Sequence, residues 1–112
     1  MKRRLEIRPV ARDEFDDASD WYLRENLVIR DEFIEKVGRD LSSIAARPLA
    51  FPIVFGSSIR QAVLQKFPYS IFFTVDDSLI VVLAIFHNSR DPHIWRGRAG
   101  KSYSNWRWIP TS

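Results

Sequence analysis

The spacing of apolar residues predicts a strand and then two helices in the first half of the chain. Leu5 and Ile7 alternate with charged residues, which predicts a short strand over residues 3–8. From about Asp13, apolar residues recur every three or four positions, as they do along one face of a helix. The two apolar stripes are Ala11, Phe15, Ala18 and Tyr22, then Ile29, Phe33, Val37, Leu41 and Ile44.

Breaks in this pattern mark the ends of the helices and of three further strands. Asn26 is the expected break between the helices and Pro48 the end of the second, which gives an antiparallel helical hairpin. Residues 47–58 contain two prolines, a glycine and two serines, and we expect a loop there. Strands are predicted at residues 59–66, 69–75 and 79–86, with Pro68 at the first joint and a turn at residues 76–78. Connections this short join antiparallel strands.

The last predicted strand is apolar on both of its faces. Alternation puts Val81, Leu83 and Ile85 on one face, and Ile80, Val82, Ala84 and Phe86, extended by Phe72 of the neighbouring strand, on the other. A sheet covered by helices on one side only would alternate apolar and polar residues. We therefore expect the second face to be covered by the C-terminal residues, by a second copy of the chain, or by another protein.

Composition indicates one soluble domain of 112 residues with an uneven distribution of charge. No apolar stretch approaches the roughly 20 residues of a membrane span, and charged residues stand where a signal peptide needs apolar ones. Cysteine is absent, which excludes disulfides and thiolate metal sites and fits a reducing cytoplasm. Residues 1–45 carry nine Lys/Arg against eleven Asp/Glu, and residues 46–112 carry eight against three. The basic second part permits a polyanionic partner.

Side chains capable of chemistry follow the predicted strands. The glycines match no phosphate-binding pattern, and His87 and His93 with a lone Asp91 make a weak ligand set, so we expect neither a cofactor nor a metal. A basic and aromatic group remains, which consists of Arg60, Lys66, Tyr69, His87 and Arg90. These residue types suit metal-free RNA cleavage, and equally the binding of nucleic acid or of an acidic protein surface. Simple packing or local hydrogen bonding would also explain the tyrosine, the histidine and the tryptophans 95, 106 and 108.

Residues throughout the chain carry a resemblance to a known family. They are Trp21-Tyr22, Phe33, Val37, Ile44, Pro48, Arg60, Phe67-Pro68-Tyr69, Ile71, Val82-Leu83-Ala84, and the run from His87 through Arg90-Asp91-Pro92 to Trp95. With them the sequence resembles the ParE/RelE superfamily of bacterial type II toxins, and most closely its ParE-like, plasmid stabilization branch. The likeness spans residues 3–98, and we expect residues 1–98 to form one toxin domain. Residues 99–112 form a basic and aromatic extension to which the resemblance assigns no role.

The resemblance implies an α+β fold of order β-α-α-β-β-β, with the helical hairpin packed on a twisted antiparallel sheet. It also implies a cognate antitoxin whose C-terminal segment wraps the toxin. The toxin–antitoxin complex would bind operator DNA through the antitoxin. A homodimer or a toxin–antitoxin hetero-oligomer would result. On this expectation the antitoxin covers the second sheet face through Phe72, Ile80, Val82 and Phe86.

The resemblance leaves three functions open for the chain: two toxic activities, and a non-toxic role. RelE-like members cut mRNA on the ribosome, whereas ParE-like members poison DNA gyrase. Between positions 48 and 89 only Arg60 and Lys66 are basic, and no tyrosine directly follows His87, so both observations favour gyrase inhibition. The expected target-binding residues are Arg60, His87, Arg90, Trp95, Arg96 and Arg98. The alternatives are a ribosome-dependent endoribonuclease with Arg60, Tyr69, His87 and Arg90 in catalysis, and a non-toxic member that acts as a binding module.

Overall fold

Two long helices, joined by a single residue, follow the first strand. The computed structural model of the protein describes residues 3–99. Strand β1 (Arg4–Ile7) leads into helices α1 (Pro9–Glu25) and α2 (Leu27–Ala46). Helix α1 begins four residues earlier than the expected Asp13, because proline at the first helical position has the φ angle that a helix requires.

Asn26 forms the predicted break between the helices. Its backbone is extended, with φ −170° and ψ 128°, so the α1 helix cannot continue through it. Its side-chain oxygen accepts hydrogen bonds from the N–H groups of Val28, at 2.7 Å, and Ile29, at 3.3 Å. These bonds satisfy two donors that the first turn of a helix leaves without partners. Asn26 therefore ends α1 and caps α2.

The sheet has five strands in the order β1-β5-β4-β3-β2. The remaining elements are β2 (Ile53–Phe55), β3 (Ile59–Val63), β4 (Tyr69–Val75), β5 (Leu79–His87) and α3 (His93–Arg96), with a 3-10 turn at Pro48–Ala50. Neighbouring strands from β2 to β5 are antiparallel as predicted, but β1 lies parallel to β5. The sheet is therefore mixed, because the two intervening helices supply the long crossover that a parallel pair needs. The predicted α+β fold class is confirmed.

The structure differs from the prediction in one additional strand and in the end of another. The segment expected to be a loop contains β2, a three-residue edge strand that exists through its pairing with β3. Strand β3 ends at Val63 rather than at Lys66. Lys66 has a left-handed φ of 72°, which turns the chain toward β4 and cannot continue a strand.

The main core lies between the helices and one face of the sheet. Its buried members are Ala11, Ala18, Tyr22, Phe33, Val37, Ile44, Ala62, Leu64, Ile71, Phe73, Ile80, Val82 and Ile85. Both predicted helical stripes point into it, except that Ile29, in the first turn of α2, is exposed. The ring of Phe33 lies 5.0 Å from Tyr22 and 5.3 Å from Phe67, which fixes the hairpin against the start of β4.

A bulge in β5 changes which side chains share a face. Phe72 pairs with Ala84 and Phe73 with Val82, so Leu83 is an extra residue in β5. An extra residue reverses the alternation of side chains beyond it. Ile80, Val82 and Ile85 consequently lie in the helix-side core, whereas Leu83, Ala84 and Phe86 lie on the opposite face. The prediction that Ile80, Val82, Ala84 and Phe86 share one face was wrong.

The chain itself covers the second face of the sheet. Trp95 of α3 stacks on Phe72 with ring centroids 3.8 Å apart and planes 15° from parallel. The second cluster contains Ile59, Phe72, Leu83, Ala84, Phe86 and Trp95, all buried. The sequence left open whether the chain's own C-terminal residues, a second copy or another protein covers this face. In the structure, residues 93–99 of the chain cover it. Buried apolar residues on this face therefore require no partner.

No helix within the described part of the chain is both long and apolar enough to cross a membrane.

Candidate functional site

Three of the predicted site residues meet where β5 ends. Tyr69 and His87 are register partners on β4 and β5, and their rings lie 5.1 Å apart in an edge-to-face arrangement. The guanidinium carbon of Arg90 lies 4.5 Å from the centre of the Phe86 ring. His87 and Arg90 line two adjacent surface grooves, one on each face of the sheet.

The two grooves differ in charge. The helix-side groove, of about 300 Å³, includes Glu14, Asp17 and Arg24 and is therefore of mixed charge. The groove on the α3 side, of about 280 Å³, includes Arg90 and Arg96 and no Asp or Glu among the residues the structure describes. We call the second one the α3-side groove.

A partly buried hydrogen-bond chain holds the turn that carries Arg90. Ser70, fully buried on β4, accepts from the side-chain amide of Gln61 at 2.9 Å and donates to Asn88 Oδ1 at 2.7 Å. The backbone N–H of Asn88 donates to the carbonyl of Pro68 at 2.8 Å. Side chain and backbone together fix Asn88 against β4. The sequence prediction did not include Gln61 or Ser70, and the one signal for them was a serine inside an aromatic strand.

The hydrogen bonds of His87 determine its neutral tautomer. Nδ1 accepts the backbone N–H of Ser89 at 3.1 Å and lies 2.8 Å from the Ser89 hydroxyl. An accepting Nδ1 carries no proton, so in the neutral ring the proton is on Nε2. His87 is therefore a hydrogen-bonded residue of the turn whose second nitrogen is a donor.

The pKa of the Tyr69 hydroxyl is raised in this site. Burial raises its pKa above the ordinary value, the positive charge of Arg90 partly opposes this, and Asp17 adds to the increase. Burial, and then Tyr69, raise the pKa of the adjacent Tyr22. A tyrosine with a raised pKa remains protonated at neutral pH and cannot remove a proton from a hydroxyl.

Arg60 is not brought to this site. It pairs with Phe73, four residues along β4 from Tyr69, which separates the backbones by about 13 Å along the strand direction. Its Nη1 donates to the carbonyl of Phe51 at 2.6 Å, which holds the chain after α2 against β3. The structure therefore assembles three of the four residues expected for catalysis and leaves Arg60 in a structural contact.

Two other residues expected to face a target are also part of the folded framework. Trp95 is 5% exposed and forms the cover of the second sheet face. The Arg98 side chain is 12% exposed and pairs with Glu14 through two hydrogen bonds. Neither side chain is displayed in the way that target binding requires.

Arg96 is the remaining cation of the predicted set, and it lies in the α3-side groove. Its guanidinium carbon is 4.9 Å from the Phe55 ring centre and 5.7 Å from that of Trp95. Its Nε atom is buried and has no hydrogen-bond partner within residues 3–99. Among the same residues, neither Arg90 nor Arg96 forms a salt bridge.

The residues expected to bind an antitoxin do not form a shared surface. Ile80 and Val82 lie beneath the helices, and Phe72 and Phe86 lie beneath Trp95, with 5% exposure at most. Large apolar side chains are exposed elsewhere, around the helical joint and along β2. They include Trp21, Leu23, Leu27 and Val28 near the joint, and Ile53, Val54 and Phe55 in β2.

Comparisons with known proteins agree with this architecture. A solved structure described as the chromosomal ParDE TA system from P. aeruginosa superposes with a TM-score of 0.63. It is 16% identical, and the match covers 77% of this chain and 96% of that chain, which shows a shared fold. No curated protein sequence matches the chain. Residues 5–92 match the family described as ParE toxin of type II toxin-antitoxin system, parDE. The match covers well over half of the sequence, and the chain therefore belongs to the ParE toxin family.

Proposed function

We propose that the chain is a toxin that inhibits DNA gyrase and is neutralised by a cognate antitoxin in the bacterial cytoplasm. Family membership supports the toxin role. The separation of Arg60 from Tyr69, His87 and Arg90 is the observation that favours gyrase over mRNA as the target. Cleaving RNA needs a base, an acid and cations around one phosphate. Here one of the two arginines expected around that phosphate lies elsewhere.

The proposed target surface is the end of β5 together with the α3-side groove. His87, Arg90 and Arg96 line this groove, and the two guanidinium groups lack salt-bridge partners in the described part of the chain. Cations fixed by ring packing lose little side-chain entropy when they bind an anionic surface. Arg60, Trp95 and Arg98, which were expected at this surface, support it from within the fold instead.

We propose that the antitoxin binds the exposed apolar residues at the helical joint and along β2. Single exposed apolar residues are ordinary, but Leu23, Leu27 and Val28 follow one another closely around Asn26 and are 43%, 54% and 65% exposed. A bound segment that covered them would raise the melting temperature, by an amount that grows with the logarithm of its concentration divided by its Kd.

A supercoiling assay tests the proposed target. Purified chain added to gyrase and relaxed plasmid is expected to block supercoiling, and the double variant Arg90→Gln/Arg96→Gln is expected to lose at least about tenfold in potency, since hydrogen bonds to charged groups contribute about 1.5–3 kcal/mol each. Arg12→Gln/Arg39→Gln, which removes two charges from exposed positions on α1 and α2, is the matched control and is expected to retain potency. Undisturbed supercoiling at high toxin concentration contradicts the proposal.

An endoribonuclease is the second candidate, because Tyr69, His87 and Arg90 are adjacent. Primer extension on translating mRNA distinguishes the two activities. Cleavage that is abolished by His87→Ala, together with normal supercoiling, identifies the endoribonuclease. Normal growth of cells that express the chain at high level without an antitoxin identifies a non-toxic binding module.

A further inference from the structure

The α3-side groove combines two fixed guanidinium groups with the absence of carboxylates among its described lining residues. Arg90 lies over the Phe86 ring at 4.5 Å and Arg96 over the Phe55 ring at 4.9 Å, so both cations are positioned by aromatic faces rather than by acidic partners. Asp91, the nearest acidic residue in sequence, accepts the N–H of His93 at 3.0 Å and does not line the groove.

The donors in this groove exceed the acceptors. Each guanidinium has five N–H donors and no acceptor, and the Nε of Arg96 is buried without a hydrogen-bond partner within residues 3–99. Asn88 has its side-chain oxygen bound to Ser70. A ligand that satisfies these groups has to supply several anionic acceptor oxygens.

We propose that the α3-side groove binds the phosphodiester backbone of nucleic acid. Guanidinium groups bind phosphate oxygens through two parallel hydrogen bonds, and the groove volume of about 280 Å³ suits a segment of backbone rather than a folded domain. Asp76 and Asp77 lie at the other end of β5, so the acidic residues of the second half of the chain are remote from the groove, apart from Asp91. An extended polyanion can therefore lie along the groove without coming close to Asp76 or Asp77.

This inference deepens the proposed function and rests on it. Gyrase acts on DNA, so a toxin that binds gyrase comes close to nucleic acid. Binding of nucleic acid by the isolated chain does not require gyrase, so the two proposals can be tested separately.

Fluorescence anisotropy of the full chain with a labelled oligodeoxythymidine about 12 nucleotides long tests the inference. We expect binding that weakens steeply as salt rises from about 50 to 200 mM. Arg90→Gln/Arg96→Gln is expected to weaken binding by about tenfold or more, and to lower the salt slope by about 0.7 for each phosphate that the variant no longer neutralises.

Arg39→Gln removes one positive charge from α2 and is expected to change affinity by less than about twofold. Arg90→Lys/Arg96→Lys keeps both charges and is expected to bind with intermediate affinity, provided circular dichroism shows it folded.

Duplex DNA and oligouridine of the same length identify which nucleic acid presents the backbone best. An equal loss in Arg39→Gln and in the double glutamine variant would mean that the charge is diffuse, and the inference would be wrong. Equal affinity for an acidic polyglutamate peptide would also overturn it. Gyrase inhibition without nucleic-acid binding refutes this inference alone, whereas nucleic-acid binding without gyrase inhibition refutes the proposed target alone.

Discussion

Glu14 on α1 and Arg98 beyond α3 form an ion pair that hydrogen-bonds to the backbone of β5 at its bulge. Arg98 Nη1 lies 3.2 Å from Oε1 and Nη2 lies 3.1 Å from Oε2 of the carboxylate. Arg98 also donates to the carbonyl of Leu83 at 2.8 Å, and Glu14 accepts the N–H of Ile85 at 3.1 Å. Strand β1 ends at Ile7, whose partner is Val82, so it does not reach these backbone groups. The ion pair supplies the partners that a longer β1 would have supplied.

Removing one member of this pair is expected to destabilise the fold strongly. The side chains of Glu14 and Arg98 are 13% and 12% exposed, so either one alone would be a nearly buried charge without a partner. We expect Glu14→Ala to lower the free energy of unfolding by about 3–5 kcal/mol, measured by urea denaturation. Replacing both residues, as in Glu14→Leu/Arg98→Met, is expected to cost less than either single change.

The exposed pair of Glu35 and Arg39 on α2 is the control for this experiment. Its side chains are 68% and 73% exposed, and solvent screens the interaction. We expect Glu35→Ala to change the free energy of unfolding by less than about 1 kcal/mol. Similar losses for Glu14→Ala and Glu35→Ala would show that the buried pair does not stabilise the backbone at the bulge.

Trp95 is expected to be essential for covering the second sheet face. Trp95→Ala removes the ring that stacks on Phe72, and we expect it to cost about 3–5 kcal/mol of stability. The uncovered face should also cause self-association, which light scattering would detect. Ile94→Ala alters the neighbouring residue of α3, whose side chain is 44% exposed, and is expected to change stability by no more than about 0.5 kcal/mol. A stable monomeric Trp95→Ala variant would mean that residues 93–99 are not the essential cover.

The elements of this fold could be predicted because their signals are local. Apolar spacing identifies α1 and α2, and Asn26 ends one and caps the other with its own side chain. The bulge at Leu83 has no such local signal. Its backbone groups are satisfied by Glu14 and Arg98, which are 84 residues apart in sequence. Reading alternation through the bulge therefore assigned Ile80 and Val82, in the first half of β5, to the wrong face. The strand β2 was missed for a similar reason, since it depends on pairing with β3.

The site could be predicted only where one strand end determines it. His87 ends β5, Arg90 lies three residues beyond it, and Tyr69 is the register partner of His87, so the sequence order alone brings these three together. The position of Arg60 depends on which residue of β4 it faces, and this follows from the full sheet register. Whether a basic or aromatic residue is displayed depends on its partners, and the partners of Trp95 and Arg98 come from distant segments.

Ser70 is expected to control the geometry of the turn after β5. Ser70→Ala removes the buried hydroxyl that joins the partly buried Gln61 to Asn88, and with it both hydrogen bonds. We expect a loss of about 1–3 kcal/mol in unfolding free energy. We also expect shifts in the backbone amide NMR signals of Asn88 and of residues 89–91. Ser42→Ala on the exposed side of α2 is the control and should affect neither quantity. Unchanged amide signals in Ser70→Ala would show that the backbone bond to Pro68 alone holds the turn.

The buried tyrosines are expected to make the fold less stable in alkali. The pKa of Tyr69 and that of Tyr22 are raised in the folded state, chiefly by burial, so the unfolded chain loses these protons at lower pH. Their contribution to stability is complete below the unfolded pKa of about 10 and disappears as pH rises through the higher folded values. Urea denaturation between about pH 8 and 11 should therefore show stability falling above about pH 10, with a smaller slope for Tyr69→Phe. Because the charge of Arg90 opposes the increase at Tyr69, Arg90→Gln should raise that pKa further, as phenolate absorbance would record. An unchanged titration in Arg90→Gln would show that Arg90 and Tyr69 do not interact across the end of β5.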